Sequence, residues 1–95
     1  MVLISGCFRF APENRAAALA MAAETRKEAG CITYGFFADV EDENTFRIFE
    51  EWQSQAHLDA HFQTAHIAQF RETVGALDPL ERDVSRYVVA EISKL

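Results

Sequence analysis

Hydrophobic and polar positions alternate, then cycle with a helical period, and then alternate again along this chain. Val2–Phe10, VLISGCFRF, alternates loosely and is rich in β-formers, which predicts a first strand. Pro12 suits the first turn of a helix. ENRAAALAMAAETRKEA then runs without a breaker to Gly30, a natural helix stop. Ala16, Leu19, Ala20 and Ala23 fall at helical spacing and predict its buried stripe. Cys31–Val40 and Thr45–Trp52 read as two strands joined by the polar turn EDEN, a hairpin over Cys31–Trp52. Ser54 is placed to cap a short helix over Gln55–Phe62. Thr64 is placed to cap a second segment from Ala65 to about Leu77, with Ile67, Phe70, Val74 and Leu77 inward, and Asp78–Pro79 ends it. Arg82–Ser93 predicts a fourth strand.

The order β-α-β-β-α-β is the split βαβ arrangement. It predicts a ferredoxin-like α+β sandwich, a four-stranded antiparallel sheet with the helices on one face. No repeat, linker or low-complexity stretch divides the chain, so residues 1–95 read as one domain. A sheet covered on one face and wet on the other should show a polar residue at every second position. Ile32, Tyr34, Phe36, Ala38 and Val40 share one parity of the second strand, yet Cys31 and Phe37 have the other. Phe49 opposes Phe46, Ile48 and Trp52, while Tyr87 and Val89 oppose Val84, Val88, Ala90 and Ile92. The second face is therefore mixed, which predicts that it packs on another subunit, most simply a second copy in a two-fold homodimer.

Composition narrows the partners. Hydrophobic residues make up 49% of the 95, enough for one small core. Eight Phe are generous for such a core, so some should line a cavity or an interface. With a net charge of −6 and no basic cluster, the chain suits neither nucleic acid nor anionic membranes, which need Lys/Arg-rich surfaces. No apolar run approaches the ~20 residues of a membrane span. MVLISGCFRF lacks the basic start and small-residue cleavage site of a secretory signal. Cys7 and Cys31 form neither a CxxC nor a zinc pattern, so two buried free thiols in a cytoplasmic protein are expected.

Candidate chemistry gathers between Glu50 and His66. EEWQSQAHLDAH holds the only Trp and two of the three His, and His66 follows five residues on. His is the usual acid–base side chain near neutral pH. His57 and His61 stand i, i+4 and flank the apolar stripe of Leu58 and Phe62, which suits the mouth of a pocket; His66 has the same relation to Ile67 and Phe70. Three readings are open. HxxxH on a helix can chelate a metal, but no Glu follows the first His and no third ligand is obvious, so no metal site is assigned. The His side chains can be structural, bonded to backbone or water. Or at least one of them, with Trp52, contacts a bound aromatic or acidic ligand. Glu50 shares a strand face with Phe46, Ile48 and Trp52 and needs a partner, because a buried unpaired carboxylate costs several kcal/mol or takes up a proton. Arg86, between Val84 and Val88, is the candidate. The chain has no Gly-rich phosphate loop, GxGxxG or CxxCH, so nucleotide, flavin and attached haem find no visible cradle.

The stretch GCITYGFF…FRIFEEWQSQAHLDAHFQTAHIAQF resembles the antibiotic biosynthesis monooxygenase (ABM) domain family, the dimeric α+β-barrel group that includes quinol monooxygenases. The features that match are Gly30–Cys31 entering the second strand, Glu50 and Trp52 ending the third, and His61 followed by His66. The resemblance covers nearly the whole chain in element order. It implies oxygenation of quinol-like or polyphenolic aromatics by O2 without metal, flavin or haem, so no cofactor is expected. An ionised hydroquinone can reduce dioxygen itself, which avoids the spin barrier to direct reaction. The protein then has to hold the ring in a dry apolar slot and generate or stabilise the phenolate. His61 and then His66 are the expected catalytic groups. Glu50 and Trp52 are the family-matched substrate contacts. Tyr34 and Phe36 join them by strand parity, and Phe62 and His57 by helix position. Haem-degrading relatives of the barrel carry a ligating His near the position of Arg71 and an Asn where Ser5 and Gly6 stand, so this chain departs from them. The alternative function is a non-catalytic, stress-associated dimeric barrel that binds a small apolar ligand.

Overall fold

A computed structural model describes residues 1–75 and 82–95. The elements run in the expected order: β1 (Val2–Arg9), a 3₁₀ turn (Pro12–Asn14), α1 (Arg15–Thr25), β2 (Cys31–Ala38), β3 (Thr45–Trp52), α2 (Gln55–His61), α3 (Ala65–Val74) and β4 (Arg82–Val88). The four strands form one antiparallel sheet in the order β2-β3-β1-β4. This is the ferredoxin-like α+β fold.

Register sets which side chains meet. Alternate residues of a strand share a face, and the side facing the helices carries four cross-strand rows. Val88–Val2–Trp52 is the first, extended by Cys31; Arg86–Ile4–Glu50–Tyr34 is the second. Val84–Gly6–Ile48–Phe36 and Arg82–Phe8–Phe46–Ala38 follow. A register shift between Cys31 and Thr33 breaks the parity at the start of β2. That irregularity is why Ile32, expected on the same face as Tyr34, is 51% exposed. β2 and β4 also stop short of their expected ends at Val40 and Ser93. They are the edge strands, and past each end one more backbone bond is made, Asp39 N–H to the Thr45 carbonyl and Val89 N–H to the Met1 carbonyl. Leu77, Asp78 and Pro79 lie outside the described residues.

Helix α1 buries a face other than the expected one. Ala16, Leu19, Ala20 and Ala23 are exposed, while Ala18, Met21, Ala22 and Thr25 are buried. Both sets have the same i, i+3, i+4, i+7 spacing. In a helix with alanine on every side, that spacing fits more than one phase. Met21 decides the phase because it is the large flexible side chain that fills space under the helix. Thr25 is tolerated inside because its hydroxyl donates to the Met21 carbonyl at 2.8 Å.

The two short helices begin as their caps predict. Ser54 Oγ accepts from the His57 N–H at 3.3 Å, and Thr64 Oγ1 from the Ile67 N–H at 3.4 Å. Gly30 has φ +80, a left-handed conformation that needs glycine, and a side chain there would run into the His57 ring. The chain can therefore turn sharply from the end of α1 into β2, directly beside α2.

The eight Phe divide three ways. Phe10 and Phe46 stack at 4.5 Å in the core. Phe8, Phe36, Phe62 and Phe70 line a cavity between sheet and helices. Phe37 and Phe49 lie on the face without helices, in rows with Cys7 and Ser5. Phe37 there is 56% exposed and Tyr87 53%. No helix among the described residues is long and apolar enough to cross a membrane.

Candidate active site

The end of β3 supplies the first pair of groups. Glu50 and Trp52 are two residues apart and share a face, so the indole can reach back along the strand: Trp52 Nε1 donates to Glu50 Oε1 at 2.9 Å. The partner expected for Glu50 was Arg86. Arg86 does stand in the same row, with Ile4 between, but its guanidinium donates to Gln55 Oε1 at 2.6 Å instead. One hydrogen bond from an indole does not repay the loss of water around a carboxylate. Burial therefore pushes the Glu50 carboxyl up to about 7; the Trp52 bond works against this, and nearby Glu28 adds to it.

A second group forms where three segments converge. His61 ends α2, His66 opens α3, and Glu28 lies in the turn between α1 and Gly30. Glu28 Oε2 is 2.7 Å from both His61 Nδ1 and His66 Nε2. One carboxylate oxygen thus holds two imidazoles by the nitrogens facing it. The His61 side chain is 1% exposed, and burial lowers its pKa; the attraction of Glu28 opposes that without overcoming it. Near neutral pH the contact is then a hydrogen bond from neutral imidazole, Nδ1–H donating to Glu28, rather than an ion pair. That tautomer leaves Nε2 as the basic nitrogen. Tyr34 donates to the Met21 sulfur at 3.2 Å, and burial raises its pKa, so it remains a neutral phenol.

These groups border a cavity of about 620 Å³ that is open to solvent on one side. Of the residues expected at a site, His61, Glu50, Tyr34, Phe36 and Phe62 line it. Trp52 does not. It is fully buried behind the lining, bonded to Glu50 and packed against His61 with ring centroids 5.0 Å apart. His66 faces a separate groove between α1 and α3, with Glu24 and Gln69, and reaches the cavity only through Glu28 and His61. His57 lies outside the lining; its Nδ1 is 2.8 Å from Ser54 Oγ, at the cap of its own helix.

Glu28 was not anticipated. It sits at the polar end of the alanine-rich segment, 33 residues before His61, and no local spacing links the two. Arg71, Arg82, Met21, Ile67 and Phe70 also line the cavity without having been expected there. Among the described residues, Glu28, His61 and His66 are the set whose donor atoms converge enough to ligate a cation, within 4.8 Å of one another. Two imidazole nitrogens and a carboxylate would suit a divalent metal, but their 2.7 Å contacts are already explained by hydrogen bonds.

The sequence model for the family described as antibiotic biosynthesis monooxygenase matches residues 1–73. This chain belongs to the ABM family. Among proteins similar to this ABM chain, YcnE of Bacillus subtilis, provisionally named a monooxygenase, is 30% identical over 94 residues; the match covers 90% of this chain and 99% of YcnE. YgiN of Escherichia coli, provisionally named a quinol monooxygenase, is 35% identical over 66 residues, covering 61% of this chain and 62% of YgiN. The crystal structure of a Deinococcus radiodurans protein, assigned provisionally to the same family, superposes with a TM-score of 0.83 at 22% identity, covering 100% of this chain and 98% of that one. A likeness at that identity speaks for the fold. In chemical terms, this ABM chain combines a cavity with aromatic walls, a neutral imidazole oriented by a carboxylate, and a buried carboxyl that titrates near neutrality.

Proposed function

We propose that the protein is a cofactor-independent monooxygenase of quinol-like aromatics, with His61 as the base that ionises the substrate. The supporting observation is the Glu28–His61 contact at the cavity wall, where Nδ1 is engaged by a carboxylate and the ring is kept neutral by burial. A base needs a free lone pair, a fixed orientation and a pKa near the working pH. The substrate hydroxyl gives its proton to His61 Nε2. The phenolate passes one electron to O2, and the resulting semiquinone and superoxide combine through a new C–O bond. The His61 proton completes the hydroperoxide, and loss of water across the O–O and C–H bonds leaves the hydroxyquinone. Quinol and O2 thus become hydroxyquinone and water, with the electrons drawn from the substrate alone. Glu50, when protonated, donates to the oxygen on which charge develops.

Two limbs of a pH profile follow. His61 must be neutral, so activity falls on the acid side below its depressed pKa. Glu50 must be protonated, so activity falls as pH rises through about 7. We expect a narrow bell in kcat/KM, and Glu50→Gln should remove only the alkaline limb. The activity itself is tested by oxygen uptake from chelator-treated protein with a panel of reduced quinones. The proposal expects consumption above the autoxidation rate. Background rates across a broad panel would leave a ligand-binding protein without chemistry.

The same reading includes a homodimer through the helix-free face of the sheet, supported by the apolar row members Leu3, Phe37, Phe49 and Tyr87. Sedimentation at micromolar concentration should give about twice the 10.7 kDa chain mass. A 10.7 kDa species would contradict it, and Phe49→Glu should shift a dimer toward monomer.

A further inference from the structure

The cavity has two chemically different ends. One row of the sheet runs Arg86–Ile4–Glu50–Tyr34 across β4, β1, β3 and β2. Neighbouring strands lie about 4.8 Å apart, so β4 stands about 10 Å from the strand that carries Glu50. At the Glu50 end are His61 and the neutral phenol of Tyr34. The β4 wall carries Arg82 and Arg86; Arg71 of α3 also lines the cavity, but beside Phe62 and near enough to His61 to disfavour its imidazolium form.

This is a local reversal of charge. The chain has a net charge of −6 and only nine Lys and Arg. Three of the nine line one cavity, and Glu50 is the only carboxylate among the described residues that line it with them. Gln55 holds the Arg86 guanidinium, while Arg71 lies over the Phe62 ring at 5.9 Å. The ion pairs among the described residues involve none of the three. A neutral quinol makes no use of such a wall. Guanidinium groups offer forked donors that match a carboxylate, and a cleft of one sign concentrates ligands of the other.

We propose that the substrate is a fused-ring phenol or quinol bearing a carboxylate at the end remote from the hydroxyl that meets His61. The span of about 10 Å from the strand that carries Glu50 to β4 is longer than a single ring and suits two fused rings ending in a carboxylate. The orientation rests on the proposed activity, because it puts the reacting hydroxyl at His61; the affinity for the anion does not.

Trp52 is the only tryptophan and packs against His61, so its emission reports on this cavity. The probes are 1,4-naphthoquinone-6-carboxylate and its methyl ester, which match in shape and do not react with O2. Titrated at low salt, the acid should bind about tenfold more tightly than the ester, a preference that shrinks as salt is raised. Arg82 and Arg86 are exposed, so replacing them leaves the core intact. In the Arg82→Gln/Arg86→Gln variant the two affinities should come within about twofold of each other. Equal binding by the wild type, or an undiminished preference in the variant, overturns the proposal. Absent oxygen uptake with the acid preference intact would instead defeat the monooxygenase reading and leave an anion-selective binding site.

Discussion

Glu50→Gln stabilises the protein by about 3 kcal/mol at pH 8.5 and by very little at pH 4.5. Raising a carboxyl from its ordinary 4.5 to about 7 makes ionising it cost about 3 kcal/mol more in the folded protein than in the unfolded chain. The sign follows from which state holds the proton. The folded state binds it more tightly, so the stability it contributes is fully present below pH 4.5 and is lost as pH rises through about 7. Glutamine keeps the shape and an acceptor for the Trp52 N–H but has no charge to desolvate. Urea denaturation of both proteins at the two pH values, at one protomer concentration, measures the effect. An offset that does not change with pH would mean that Glu50 ionises as freely in the fold as in water. His61 slopes the other way: its depressed pKa makes protonation costly, so its contribution is lost as pH falls below about 6.5. The two groups therefore restrict the most stable range from opposite sides.

If His61 is the base of the proposed quinol oxidation, His61→Gln should lower kcat/KM by about 10²- to 10⁴-fold, the usual contribution of a positioned general base. The loss should be smallest with substrates acidic enough to arrive already ionised, because they need no base. A structural role would penalise all substrates alike. Glu28→Gln should give a smaller loss. Its amide can donate as well as accept, so it no longer fixes the Nδ1–H tautomer of His61 or favours the imidazolium formed during turnover. Removing Trp52 tests less than it first promises. The indole is fully buried, and Trp52→Ala should cost about 3–5 kcal/mol through the void alone. Trp52→Phe keeps most of the volume and deletes only the hydrogen bond to Glu50, so it is the informative change. It should raise the Glu50 pKa further and carry the alkaline limb of the activity profile with it.

The order of elements was legible because each boundary has a local cause. Ser54 and Thr64 cap helices with their own hydroxyls, and Gly30 sits where φ is positive. Thr45–Trp52 was read to the residue, since its β-formers end at a strand-to-cap junction. The phase of α1 was not legible, because alanine satisfies any face and the choice falls to Met21 and its neighbours in three dimensions. Within the site, alternation along β2 and β3 put Tyr34, Phe36 and Glu50 on the helix side, and helix position put His61 there too. The pairing of Glu50 with Trp52 escaped because strand parity also put Arg86 on that side, and only geometry shows which donor arrives. Glu28 escaped for a related reason. A turn residue meets a helix end through tertiary packing, and its 33-residue separation from His61 leaves no periodic trace. His57 was drawn in by its i, i+4 relation to His61, yet its ring serves the cap of its own helix.

The most direct test is isotopic. Metal-stripped protein is mixed with 1,4-naphthohydroquinone under ¹⁸O2, the reaction is quenched early, and the product is weighed by mass spectrometry. One ¹⁸O atom in each hydroxynaphthoquinone, formed faster than by autoxidation and suppressed in His61→Gln, is the predicted result. Unlabelled naphthoquinone released with labelled hydrogen peroxide would contradict it, because electrons would then have reached dioxygen without a bond from oxygen to the ring.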